Sequence, residues 1–431
     1  MRLLLLLTLV AALTAPPIAG AQEWEVVQLP DGPSGGNPKI LDIDMDGGAV
    51  WFATQNDGLI AYDGTTWILH TAADGGLRSN SWHNTILVAP SGDKWTCKDY
   101  LLTVDRVDDG GTFTDKTDDT WTYYNQPDQL SSSRVFSMAE DANGNMWFGI
   151  RDENMDQPSS LELLIENDPS TPTDDEWLTY AQSDDLAGFF TRDVRELAVD
   201  GRGRLWIVYY LQGVDVWEFG DYYTYEDDTF VHYGLAEGLP SNVIHAVLTA
   251  ADGRVWLGAN NGLAVLDAGG EAWTVFGDLG ADRITDVAED VQGHIWAATE
   301  QGVAMLYSSG ELARFYTTAD GLKDDLVQLI EVDHTDGTVW AVTEDLSTGE
   351  TSLNRLESGY GPDSDIFAYP NPWKKGESTE FIKIQGVPEG CAVEVFDITG
   401  QKIRRLEAAR EPYVWDSLDA DLNEAPSGVY V

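Results

Sequence analysis

Asp141-Ala-Asn-Gly144-Asn-Met-Trp147 and Asp290-Val-Gln-Gly293-His-Ile-Trp296 are two copies of one phrase, Asp-x-x-Gly-x-apolar-Trp. The closing tryptophan recurs at Trp51, Trp95, Trp147, Trp206, Trp256, Trp296 and Trp340, at intervals of 44, 52, 59, 50, 40 and 44 residues. A period in this range marks an array of units, each too small to bury its own hydrophobic face. The residues after the tryptophan repeat as well. A small residue precedes a Gly-Leu or Gly-Val step at Ala53…Gly58-Leu59, Gly258…Gly262-Leu263 and Ala298…Gly302-Val303. An aromatic pair then appears, as at Trp67…His70, Trp121…Tyr124, Trp177…Tyr180, Trp273…Phe276 and Phe315-Tyr316.

One unit reads as four strands. In the fifth, Ile244–Thr249 is strand a, Asp252-Gly253 turns into strand b (Val255–Ala259), Asn261-Gly262 turns into strand c (Leu263–Leu266), and Ala272–Phe276 is strand d. Short strands punctuated by Gly, Asp and Asn, with one aromatic motif per unit, predict an all-β fold built as a β-propeller. The last unit has strands a to c (Leu326–Val332, Thr338–Val342, Ser352–Leu356) but no aromatic d strand. The missing strand stands at the other end, at Trp24-Glu-Val-Val-Gln-Leu29. Pairing the two closes the ring and removes two sheet edges. Trp24, Trp67, Trp121, Trp177, Phe230, Trp273 and Phe315 then supply one d-strand aromatic to each of seven blades.

The phrase Glu237-Gly-Leu-Pro-Ser-Asn242-Val-Ile, with Ala251-Asp-Gly-Arg-Val-Trp-Leu-Gly258 and Asn261-Gly-Leu263 after it, resembles the two-component regulator propeller repeat. The resemblance spans Glu23 to Glu357 and weakens in blade two, where Lys94-Trp-Thr-Cys97 lacks the glycine. It implies an extracytoplasmic ligand-binding propeller of the kind that serves as the sensor of hybrid histidine kinases or is secreted alone. No kinase or DNA-binding segment accompanies it here, so no signalling output is expected of this chain.

Residues 1–21 read as a signal peptide: Arg2, an apolar run from Leu3 to Leu13, and a small-x-small site at Ala19-Gly-Ala21. The mature protein is therefore expected outside the cytoplasm, secreted, periplasmic or on the cell surface. A formal net charge of −49 sits beside 43% hydrophobic residues, enough for a folded core. Such an acidic surface repels nucleic acid and anionic membranes. Cys97 and Cys391 fall in different expected domains and are read as unpaired.

Domain boundaries follow composition. The propeller takes residues 22–357, a Gly/Pro/Asp-rich linker residues 358–365, and a second domain residues 366–431. That domain opens with Ile366-Phe-Ala-Tyr369-Pro-Asn-Pro372, continues through strands at Ala392–Ile398, Lys402–Leu406 and Tyr413–Asp416, and reaches Gly428-Val-Tyr430. These phrases resemble the immunoglobulin-like module of flagellar hook-assembly proteins and the C-terminal sorting domain of the type IX secretion system. The resemblance implies a β-sandwich, one edge strand short at Val431, and export or sorting machinery as a partner.

Three long connections, Asp105–Thr120, Glu166–Glu176 and Glu218–Thr229, join strands c and d of blades two to four and read as solvated loops. The last carries Tyr222, Tyr223 and Tyr225, an alternative binding cluster. Asp42-Ile-Asp44-Met-Asp46-Gly47 begins like a calcium loop, but Ala53 stands where such a loop needs its final acidic ligand. No metal or cofactor is assigned.

No nucleophile elbow, zinc-binding His-Glu-x-x-His, P-loop or cysteine pair is present, and no catalytic residue is assigned. Function must then be argued from the mouth of the central channel, where the innermost strands begin. Counting back seven residues from each Asp-x-x-Gly turn gives Asn37, Trp82, Arg134, Asp193, Val243, Arg283 and Leu326; counting back five gives Lys39, Asn84, Phe136, Arg195, His245, Thr285 and Gln328. The expected ligand-binding set is Lys39, Trp82, Arg134, Phe136, Arg195, His245 and Arg283. The competing assignment pairs these cations with Asp193, Glu196 and Asp286 as structural ion pairs. The function expected is that of a monomeric binding protein for an extracellular glycan, an acidic one best matching the cations. One alternative is a propeller lyase using His245 beside Arg195; another is a structural surface protein.

Overall fold

A computed structural model of the chain describes residues 23–98, 103–125, 134–151, 160–166, 175–181, 194–220, 222–224, 228–270, 272–277 and 279–358, and five short strands between 367 and 415. Residues 1–22, Cys391, Tyr225, the Pro-Asn-Pro phrase and Gly428-Val-Tyr430 lie outside these residues. The chain divides into two compact units, one spanning Glu23–His334 and Val339–Leu356, the other containing Glu357–Val431.

The larger unit is a seven-bladed propeller of four-stranded antiparallel sheets. Blade one consists of Ile40–Asp46, Ala49–Thr54, Leu59–Tyr62 and Trp67–His70, and blade five of Ile244–Thr249, Val255–Ala259, Gly262–Leu266 and Trp273–Phe276. The seventh closes the ring. Its strands Val327–Val332, Thr338–Glu344 and Thr351–Glu357 take Glu25–Val27 as their fourth, with Val26 opposite Asn354 and Val27 opposite Leu353. Arg355 pairs with Glu25 at 2.9 Å, and Trp24 donates its backbone N–H to Asp320 of blade six at 2.8 Å.

The repeated residues account for the packing. Each strand-b tryptophan is buried, and in six blades the last aromatic of strand d lies against it. Trp51 on His70 (5.2 Å), Trp95 on Tyr124 (5.5 Å) and Trp296 on Tyr316 (5.8 Å) are stacked pairs of this kind. The first aromatic of the pair serves the neighbour instead. Trp273 of blade five meets Trp206 of blade four edge-on at 6.3 Å, and Trp24 meets Tyr316 of blade six at 6.0 Å. In blades four and six the Asp of the Asp-x-x-Gly turn ties the tryptophan down: Asp200 accepts Trp206 Nε1 at 2.9 Å and Asp290 accepts Trp296 Nε1 at 3.1 Å. The glycine of the b–c turn is required by space. At Gly302, with φ of +142°, a Cβ would lie 2.1 Å from the Tyr316 carbonyl oxygen.

Blade two replaces this pattern with buried charge. Cys97 stands where Gly149 and Gly258 pack against the next blade, and its thiol donates to the Val135 carbonyl at 3.1 Å. The thiol forms no disulfide among the described residues. Lys98 meets Asp105 at 2.5 Å with both side chains fully buried, and Lys94 bridges Asp46 and Asp109 at 2.6 and 2.7 Å. Strand c of this blade runs to Asp108, so its c–d connection is shorter than expected. That connection is not merely solvated: Phe113 packs edge-on against Trp51 at 6.5 Å and Lys116 pairs with Asp74.

The second unit shows strands at Phe367–Tyr369, Ile382–Gln385, Val393–Phe396, Lys402–Leu406 and Tyr413–Trp415. They form a three-stranded and a two-stranded antiparallel sheet. Ile382–Gln385 carries no turn or motif signal that the sequence reading used, whereas the other four coincide with the phrases quoted for this domain.

Trp24 is 4% exposed and its neighbour Val26 46%, which separates closure by packing from closure by pairing alone. Trp24→Ala should cost about 3–5 kcal/mol in chemical denaturation, and Val26→Ala about 0.5 kcal/mol or less. Equal losses would show that the d-strand aromatic does not hold the ring shut.

Candidate functional site

Strand a of every blade carries a β-bulge near its start. The register slips between Ile40 and Asp42, His83 and Thr85, Val135 and Ser137, Val194 and Glu196, Ile244 and Ala246, Ile284 and Asp286, and Val327 and Leu329. A bulge leaves its extra residue unpaired and re-aims the side chain. The extra residues are Leu41, Asn84, Phe136, Arg195, His245, Thr285 and Gln328. All but Gln328 line a cavity of about 270 Å³ in the channel, together with Asp42, Thr85, Ser137, Met138, Glu196, Leu197, Asp286 and Leu329.

Blade one departs from the counted register. Its a–b turn is a tight hairpin at Gly47-Gly48, so strand a runs on through Asp46, and Asp44 sits opposite Trp51 inside the sheet. Leu41 therefore takes the bulge position, and Lys39 lies two residues earlier, in the row of Trp82, Arg134 and Arg283. Lys39 pairs with Glu344 of blade seven at 3.3 Å. The same register removes the calcium-loop resemblance: Asp42, Asp44 and Asp46 lie along a strand. Among the described residues no group of three or more His, Cys, Asp or Glu is arranged to hold a metal ion.

Phe136, Arg195 and His245 meet in the cavity. The Arg195 guanidinium lies over the Tyr210 ring at 4.5 Å and 5.9 Å from the Phe136 centroid. His245 Nε2 is 2.9 Å from Asn260 Oδ1. Burial lowers the imidazole pKa, the Asn260 bond opposes this, and the charges of Arg283 and Arg195 lower it further. Arg283 bridges to Asn260 through its backbone, and its buried Nε has no hydrogen-bond partner among the described residues. Trp82 stands on the rim, 38% exposed, with φ of +51° and its N–H on the Gln55 carbonyl at 2.5 Å. Arg134 heads strand a of blade three opposite Arg151; its side chain lies outside the described residues.

Tyr210, Asn260 and Glu344 were missed. Tyr210 and Asn260 come from b–c turns and Glu344 ends strand b of blade seven, all on the face where the a strands start. The signal was present at Tyr209-Tyr210-Leu211, an aromatic and apolar turn where blade five has Asn260-Asn261. Tyr210 is 47% exposed there.

Beneath the cations the channel wall is acidic, and the carboxylates bond to backbone rather than to arginine. Asp42 Oδ2 accepts Thr85 Oγ1 at 2.5 Å and Ile86 N–H at 2.9 Å; Asp44 accepts Val88 N–H at 2.6 Å. Glu196 accepts Val247 N–H at 3.2 Å, and Asp286 accepts Ile330 N–H at 2.9 Å. Each bond crosses from one blade to the inner strand of the next. Among the described residues neither Glu196 nor Asp286 enters an ion pair, and Asp193 lies outside those residues. Burial pushes Asp42 up to about 6 and Asp286 up to about 7, against their hydrogen bonds. Glu196 is raised well above the carboxylate range by burial and then by the charge of Asp286; burial and Asp44 do the same to Glu331.

The comparisons fit this architecture. Residues 129–152 and 238–261 match the family described as two component regulator propeller. No curated protein matches the chain. Among solved structures, PorZ, described as an essential bacterial surface component of the type-IX secretion system of Porphyromonas gingivalis, is 19% identical with a TM-score of 0.61, over 93% of this chain and 57% of its own. The extracellular domain of BT3049, a putative hybrid two component system of B. thetaiotaomicron, is 18% identical with a TM-score of 0.57, over 86% and 46%. A streptogramin B lyase is 14% identical with a TM-score of 0.55, over 78% and 100%. The chain thus spans about half the length of the first two. At these identities the likeness establishes the propeller alone. No helix among the described residues is long and apolar enough to cross a membrane.

The raised channel carboxylates fix the sign of a pH dependence. In the unfolded chain they ionise near pH 4, whereas Asp286 in the fold does so near 7. Between these values folding takes up a proton, so stability falls as pH rises and levels off above the folded pKa. The melting temperature should therefore rise as pH is lowered from 8 to 5.5. Asp286→Asn should flatten this slope, by up to about 1.4 kcal/mol per pH unit. An unchanged slope in the variant would show that Asp286 titrates normally.

Proposed function

We propose that this protein is an exported binding protein whose channel mouth takes an extracellular ligand, an acidic glycan being the class that suits it best. Export rests on the leader at residues 1–21. The observation that carries the ligand class is Arg195 set over Tyr210 and beside Phe136, next to Arg283 and His245, in a chain of net charge −49. Aromatic faces hold a guanidinium in place, and arginine is the side chain that grips a carboxylate or sulfate through two parallel bonds. Trp82 and Tyr210, both exposed on the mouth face, offer surfaces on which a sugar ring stacks.

The acidic surface opposes an anionic ligand at long range, but salt screens charges beyond roughly 8–10 Å. The local cations then decide at contact. The Tyr-Pro-Asn-Pro and Gly-Val-Tyr phrases of residues 366–431 support a second role for that domain, as the handle for export or sorting machinery. The sensor-type resemblance supports binding over catalysis.

Calorimetry with neutral and uronic-acid oligosaccharides tests the ligand class. The acidic series should bind more tightly. Arg195→Ala with Arg283→Ala should weaken it by roughly 2–5 kcal/mol and shift neutral ligands little. Equal affinity for both series, or an unchanged double variant, would overturn the assignment.

A further inference from the structure

His245 and Arg283 reach the mouth from neighbouring blades, and one residue, Asn260, contacts both. Its backbone bridges to Arg283, and its side-chain oxygen lies 2.9 Å from His245 Nε2. An amide oxygen only accepts, so Nε2 carries the hydrogen and Nδ1 of the neutral ring keeps a lone pair. That Nδ1 has no hydrogen-bond partner among the described residues. The ring itself lines the channel cavity of about 270 Å³.

Arg283 is a cation without a counter-ion. Among the described residues its guanidinium enters neither an ion pair nor a hydrogen bond, and its Nε is buried. The carboxylates nearest to it in the chain do not serve it: Asp286 accepts from the Val287 and Ile330 N–H groups, and Asp282 is exposed. In a chain of net charge −49, a half-buried arginine left unpaired needs a reason. An orphaned buried donor marks a place where an acceptor from outside the chain belongs.

The imidazole answers to this cation. Burial does most to lower its pKa, the Asn260 bond opposes that, and the charges of Arg283 and of Arg195 from blade four lower it further. Asp42, Glu196 and Asp286 line the same cavity, but the charges that bear on the imidazole are those of the two arginines. An anion seated against Arg283 offsets that repulsion and itself favours a protonated ring.

We propose that the ligand's anionic group seats between Arg283 and His245, and that a proton enters with it onto the imidazole. Arg283 donates through its guanidinium, the imidazolium donates through Nδ1, and Asn260 keeps the ring oriented through Nε2. The proton comes from solvent, so the protein gains one positive charge as the anion arrives. The inference rests on the acidic-glycan assignment of the mouth and adds its regulation, a site that fills more readily in acid. Below the imidazole pKa of the empty site both states are protonated and affinity is level. Between that value and the higher pKa of the occupied site, affinity falls as pH rises.

Tetragalacturonic acid, ionised above about pH 5.5, is titrated into the full chain from Gln22 onward at pH 8, 7 and 6. Its affinity should rise roughly three- to tenfold for each pH unit lowered within the window. The binding heat should vary with the ionisation heat of the buffer, as proton uptake requires. Asp42 and Asp286 also ionise near this range, so the imidazole is followed directly. By NMR, the ring signal lost in His245→Gln should titrate at higher pH with the ligand bound than without it. His245→Gln should reduce the pH dependence of binding. Arg283→Gln should raise the imidazole pKa in the ligand-free protein, a readout that needs no ligand. An imidazole pKa left unmoved by the bound ligand, or by Arg283→Gln, would overturn the inference and leave the acidic-glycan assignment standing. Failure of tetragalacturonic acid and other uronic-acid oligosaccharides to bind at every pH would overturn both.

Discussion

The innermost strand of each blade is a sheet edge turned toward an open channel, and its free N–H groups need acceptors. Most of what is distinctive in this molecule stems from that need. Asp42, Asp44, Glu196 and Asp286 reach across from one blade to the inner strand of the next and supply those acceptors. An unmade backbone bond in a partly buried place costs on the order of 1–3 kcal/mol, enough to justify a carboxylate in a narrow channel. The bulges at the starts of these strands turn Phe136, Arg195 and His245 inward. One backbone irregularity, repeated seven times, thus furnishes the mouth.

The charge distribution then acquires a layered order. Carboxylates dominate the outer surface, arginines and a neutral-leaning histidine the mouth, and carboxylates again the channel interior. In blade two the order is inverted locally, with Lys94, Lys98 and Arg106 buried against Asp46, Asp93, Asp105, Asp109 and Glu166. A buried ion pair is a weak source of net stability, but losing one partner leaves an uncompensated charge. That blade is therefore the least tolerant of single substitutions at its polar positions.

Much of the fold was legible because its cause is periodic. The tryptophans, the b–c glycines and the displaced Trp24 strand each answer a requirement that every blade shares, so each repeats in the sequence. The candidate site was legible in part. Phe136, Arg195 and His245 fell on the bulge positions because those are fixed by distance from the a–b turn. Lys39 did not, because Asp44-Met-Asp46-Gly47 imitates that turn while the chain turns later, at Gly47-Gly48. Tyr210 and Asn260 were invisible to a count along strand a, since they approach the mouth from another turn. The backbone engagement of Glu196 and Asp286 was not legible for a different reason. A sequence shows that an arginine has a carboxylate nearby, but not that the carboxylate is already engaged by a neighbouring backbone.

Closure by the Trp24 strand has a bearing on the life of the chain before it folds. Val27 and Leu353 are paired neighbours at opposite ends of the propeller sequence. Loop-closure entropy for such a contact is repaid only once the intervening blades exist. The earliest-made strand must wait, unpaired, for the last blade to emerge. Until then the ring stays open, and the N-terminal strand is an edge without its neighbour.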